Sequence, residues 1–68
     1  MLTDTMIQNI EQTAAEFANG SELTADEIRT QAQFQLDNEY FDFELTDDDK
    51  AEYIDAYVRG AKNATATR

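Results

Sequence analysis

The chain has no cysteine, histidine, proline or tryptophan, and its 68 residues include only two glycines, Gly20 and Gly60. Without cysteine no disulfide can staple a small fold, and no thiolate can serve as nucleophile or metal ligand. Without histidine the commonest metal ligand is missing, together with the one side chain that titrates unperturbed near neutrality. Two isolated glycines cannot build a phosphate-cradling loop. Serine and threonine are present, but no base accompanies them to activate a hydroxyl. No apolar run approaches the length of a membrane span. Met1-Leu2-Thr3-Asp4 lacks the basic region and apolar stretch of a signal peptide, so a cytoplasmic location is expected. A non-catalytic protein without cofactor or metal is the expectation.

Positive charge is also scarce. Five Lys and Arg stand against fifteen Asp and Glu, for a formal net charge of −10. The deficit is concentrated. Asp37, Glu39, Asp42, Glu44, Asp47, Asp48 and Asp49 fall between positions 37 and 49 with no basic residue among them, leaving −3 for the remainder. Tyr40, Phe41 and Phe43 are threaded between these acids. A negative pole of this kind repels nucleic acid and anionic lipid heads, and it attracts a basic protein surface.

Sixty-eight residues make one domain with a thin core. Leu2-Thr3-Asp4, Leu23-Thr24-Ala25 and Leu45-Thr46-Asp47 repeat one pattern at intervals of 21 and 22 residues. Each reads as a helix start with threonine as N-cap. Leu2 and Leu23 can staple onto Ile7 and Ile28, whereas Lys50 occupies that position in the third, which rests on cap and charge alone. Glu27 completes a capping box with Thr24. Asp47, Asp48 and Asp49 suit the positive end of a helix dipole.

Three helices are therefore predicted, over about residues 3–18, 24–38 and 46–61, in an all-α bundle. The expected inner positions are Ile7, Ile10, Ala14 and Phe17, then Ile28, Ala32 and Leu36, then Ile54, Tyr57, Val58 and Ala61, with Tyr53 at the margin. Asn19-Gly20 should end the first helix with a left-handed cap. Phe34 points away from the inner stripe of its helix and is a candidate exposed anchor. Residues 1–62 form the expected domain and 63–68 a flexible tail.

The connector from Glu39 to Leu45 carries no glycine or proline to mark a break. It is expected to be irregular or extended, with Phe41, Phe43 and Leu45 on one side and Asp42 and Glu44 on the other. The stretch from Leu45 to Tyr57 resembles the first helix of calmodulin-like proteins, but Val58-Arg59-Gly60-Ala61 has none of the alternating acids of a calcium loop. Residues 37–48 have acids at several loop positions, yet lack the central glycine and final glutamate.

The functional expectation is a small acidic protein-binding module. Its acids imitate the regular negative charge of DNA and occupy the basic surface of a nucleic-acid-handling protein, as a phage- or plasmid-type antagonist of the anti-CRISPR or anti-restriction kind would. Asp48, Glu52 and Asp55 extend the acidic array at helical spacing. Phe34, Tyr40, Phe41 and Phe43 are the candidate apolar contacts. The alternative is a structural or regulatory homodimer whose acidity serves solubility or salt adaptation, with Phe34 and the Ile7 to Phe17 seam as its contact.

Overall fold

A computed structural model describes residues 2–65. It contains three helices and no strand among those residues: α1 (Asp4–Ala18), α2 (Ala25–Asn38) and α3 (Asp47–Ala64). Each helix begins where a threonine caps it. The Oγ1 atoms of Thr3, Thr24 and Thr46 accept from the main-chain N–H groups of Met6, Glu27 and Asp49 at 3.2, 3.1 and 3.1 Å. Glu27 reaches back to the Thr24 N–H at 2.8 Å, completing the expected box. Asp49 does the same for Thr46 at 3.1 Å, forming a second box from an aspartate. Gly20, at φ 72°, supplies the left-handed turn after α1.

The third helix is the centre of the bundle. Both α1 and α2 pack along it, while they touch each other only marginally. Asp4 of α1 and Asp48 of α3 line one groove, and the Gly20 N–H donates to the Ala64 carbonyl at 3.1 Å. Start therefore meets start and end meets end, so α1 and α3 run in the same direction. The result is elongated, 39 × 21 × 17 Å. No helix among the described residues is long and apolar enough to cross a membrane.

The core is made largely of small side chains. Five of the twelve buried apolar residues are alanine: Ala14, Ala18, Ala32, Ala56 and Ala61. Small residues let helix backbones approach, and here they nearly meet. A methyl group at Gly60 would fall against the Glu11 main chain, within 2.7 Å of its Cα. One residue earlier, Arg59 Nε donates to Glu11 Oε2 at 2.6 Å. This ion pair clamps the same turn from outside.

The inner faces differ from expectation in phase. Ile28, Ala32 and Leu36 are buried as predicted. On α1 the buried stripe is Ile10, Ala14 and Ala18, with Ile7 half-buried and Phe17 exposed. Phe17 lies over Tyr57 from outside, ring centroids 6.3 Å apart, because Tyr57 already fills the interior. On α3, Tyr53, Ala56, Tyr57, Val58, Gly60 and Ala61 are buried, while Ile54 is half-buried. At about 100° per residue this face spans roughly 200°, as a helix with neighbours on two sides requires. Tyr53 is interior rather than marginal because Phe41 from the connector covers it, at 6.1 Å and 83°. The third helix also runs to Ala64, so Asn63 and Ala64 are helical instead of tail. Thr65 caps the helix, its N–H donating to the Ala61 carbonyl at 3.0 Å, and positions 66–68 of the expected tail lie outside the described residues.

Two substitutions separate the roles of these contacts. Gly60→Ala should force the α1 and α3 backbones apart, costing about 1–3 kcal/mol and lowering the melting temperature by about 4–8 °C per kcal/mol. Tyr57 is wholly buried, and its hydroxyl has no hydrogen-bond partner within 3.5 Å. Removing an unsatisfied buried donor stabilises, so Tyr57→Phe should raise stability by about 1 kcal/mol. Thermal unfolding followed by circular dichroism measures both. An unchanged midpoint for the glycine variant would contradict the close approach, and a lowered midpoint for the phenylalanine variant would reveal a partner for the hydroxyl.

Candidate functional site

The connector between α2 and α3 carries Glu39, Asp42 and Glu44, three of the seven acids, and links Asp37 of α2 to Asp47, Asp48 and Asp49 of α3. It is not a strand, and it bends at residues 42–43. Even so, burial alternates along it as the pattern predicts: Phe41, Phe43 and Leu45 are half-buried against the core, and Asp42 and Glu44 are exposed. Two aromatic contacts pin the inward side. Phe41 meets Phe43 edge to face at 5.6 Å and meets Tyr53 in the same manner. The inward rings thus fix which way the carboxylates face.

Asp37, Glu39, Asp42, Glu44, Asp47, Asp48, Glu52 and Asp55 are all exposed. Asp48, Glu52 and Asp55 line one open groove with Asp4 of α1, so the first turns of two helices contribute to the same acidic surface. Asp4 was not singled out by the sequence reading; only the parallel packing of α1 on α3 brings it in. Arg59 borders this groove but is held by Glu11. Asp37 accepts from Gln33 Nε2 at 2.8 Å, which orders it without neutralising it.

Other predicted site residues fall elsewhere. Asp49 does not belong to the accessible array. It is 6% exposed, and its carboxylate is engaged in the Thr46 cap. The Thr46 main-chain N–H it accepts from holds its carboxyl below the ordinary aspartate value, against the opposing effect of burial. Phe41 and Phe43 are supports of the connector rather than free anchors, since their rings pack on the core and on each other. Phe34 and Tyr40 do stand out in solvent, at 59% and 84% exposure. Among the described residues no group of three or more acids converges to hold a metal ion.

Beside the acidic surface lies a cleft of about 160 Å³, lined by Met6, Asn9, Ile10 and Thr13 of α1, Glu39 and Phe41 of the connector, and Tyr53 of α3. The Tyr53 hydroxyl donates to Glu39 Oε1 at 3.4 Å. Burial, reinforced by the Glu39 charge and this hydrogen bond, pushes the phenol up to about 12. Tyr57 is also raised, again by burial; the Gln31 side chain opposes the shift from beyond hydrogen-bond distance of the hydroxyl.

These phenols set an alkaline limit. The fold favours their neutral form, so the stabilisation is complete below the unfolded value near pH 10 and is lost as pH rises toward 12. Cooperative unfolding is expected across that window, with tyrosinate absorbance and helical circular dichroism changing together. Glu39→Gln should bring the Tyr53 titration down. In a Tyr40→Phe background, which removes the exposed phenol, tyrosines that titrate near pH 10 while the helices persist would contradict the burial of both rings. Comparison with family models, with curated proteins and with solved structures finds no match for this chain.

Proposed function

We propose that this protein is a small acidic protein-binding module that occupies the basic surface of a nucleic-acid-handling protein, in the manner of a DNA-mimicking, phage- or plasmid-type inhibitor of anti-CRISPR or anti-restriction character. One observation carries the reading. Inward anchoring of Phe41, Phe43 and Leu45 leaves Asp42 and Glu44 facing solvent, next to the exposed Asp47 and Asp48. Fixed carboxylates meet a partner without first having to be ordered, which lowers the entropic cost of association.

The array has dimensions suited to such a surface. Asp48, Glu52 and Asp55 rise along the helix axis over about 10 Å at 1.5 Å per residue. A single DNA strand carries about three phosphates over the same distance, at 3.4 Å each. A groove that receives a phosphate backbone meets comparable charge on α3. Phe34 and Tyr40 provide apolar contact of the kind that dominates interface energetics.

The exposure of Phe34 favours a second reading, a regulatory or structural homodimer. The α1 seam cannot be its contact as a whole, because Ile10 and Ala14 are already buried inside the bundle. A dimer would rest on Phe34, with Phe17 as a further exposed ring.

The two readings separate experimentally. The protein should capture a basic nucleic-acid-binding protein from its host, with affinity falling steeply between low and physiological salt. The combined charge reversal Asp42→Lys, Glu44→Lys, Asp47→Lys and Asp48→Lys should abolish capture while leaving the helices intact. Capture that is indifferent to salt and to this reversal, with a molar mass by light scattering that halves on Phe34→Ser substitution, would establish the dimer instead.

A further inference from the structure

We propose that the cleft between α1 and the connector is a receptor for one arginine side chain, presented by the basic partner surface. This rests on the protein-binding reading and names the group that the acidic face recognises. The inference is drawn from the chemistry of the cleft walls.

Glu39 supplies a carboxylate at the mouth, and it is exposed. Its hydrogen bond to Tyr53 is long at 3.4 Å, well beyond the usual O–H···O separation of about 2.8 Å, so an incoming donor can displace it with little loss. Phe41 and Tyr53 stand nearly perpendicular, at 83°, and form two walls. The two rings meet edge to face and Tyr53 is only 3% exposed, so Phe41 offers the cleft most of its aromatic surface, beside the Glu39 carboxylate. Met6 and Ile10 line the α1 side with apolar surface, which suits the three-carbon stem of an arginine. The volume, about 160 Å³, has room for several waters or the end of one long side chain.

Guanidinium fits these walls better than ammonium. It is planar, stacks on aromatic rings, presents a fork of donors to a carboxylate and is less strongly hydrated than a lysine head. Arginine is also the residue with which basic surfaces grip phosphate, so the cleft would take from the partner the group that otherwise holds nucleic acid. Around the cleft, the molecule's charge of −10 raises the local concentration of any cation.

The test uses the full chain and two small probes, N-acetyl-arginine amide and N-acetyl-lysine amide, titrated with NMR observation of side-chain signals. The arginine probe should shift the Phe41 and Tyr53 ring signals and the Met6 methyl saturably, and more tightly than the lysine probe. Glu39→Gln should weaken it about fivefold, the worth of one exposed charge pair. Tyr53→Phe keeps the ring wall and frees Glu39, so it should bind as well as the parent or better. Unchanged signals from residues far from the cleft show that each variant retains its fold. Diffuse, non-saturating shifts spread over Asp42, Glu44 and Asp48, or equal binding by the Glu39 variant, would overturn the assignment. Neither result touches the capture experiment, whose charge reversal spares Glu39, so the cleft and the acidic face can fail separately.

Discussion

The structure depends on one near-contact between main chains, that of Gly60 in α3 with Glu11 in α1. A chain this short cannot assemble a thick layer of large side chains. It removes water instead by drawing helices together until little space is left to fill. Ala14 and Ala18 on α1, and Ala56 and Gly60 on α3, each repeat at a spacing of four, which puts small residues on the same face one turn apart. Dispersion between closely packed backbones then does what bulky side chains do in larger domains. The Arg59–Glu11 pair is exposed and contributes little alone, but it sits on the same turn and opposes sliding.

Where the chain lacks core, it compensates at the helix ends. Three threonine caps, two of them reciprocal boxes, satisfy main-chain donors that a buried helix terminus would otherwise leave unpaired. Asp49 shows how this local need divides an apparently uniform acidic run. Its neighbours Asp47 and Asp48 face water, while its own carboxylate turns back to the Thr46 N–H. Charge on the first turn of α3 therefore has two jobs, closing the helix and dressing the surface, and different residues do each.

Local features were legible in the sequence. The caps at Thr3, Thr24 and Thr46 depend on residues within one turn, as does the left-handed Gly20. The alternation of Phe41, Phe43 and Leu45 with Asp42 and Glu44 also needed only a period of two. What escaped was set by tertiary approach. Reading α3 by its large apolar residues found the side bearing Ile54, Tyr57 and Val58, and missed the side bearing Ala56 and Gly60, where smallness is the signal. The three-four spacing puts Phe17 on the α1 seam, yet Ala18 is the residue that fits beneath α3. Tyr53 gained its burial from Phe41, twelve positions away. The aspartate box at Thr46 was obscured because Asp49 was counted with its charged neighbours. The cleft could not be seen at all, since it joins α1, the connector and α3.

The central place of α3 bears on how the molecule comes into being. Its two companions scarcely touch, so a nascent chain that has emerged only as far as the acidic connector holds two amphipathic segments and nothing for either to lie against. Isolated helices of 15 and 14 residues are marginal in water, even with good caps. Tertiary structure therefore waits for α3 to join them. During that wait the abundance of like charge has a protective use: it keeps unfinished copies on neighbouring ribosomes from sticking to one another.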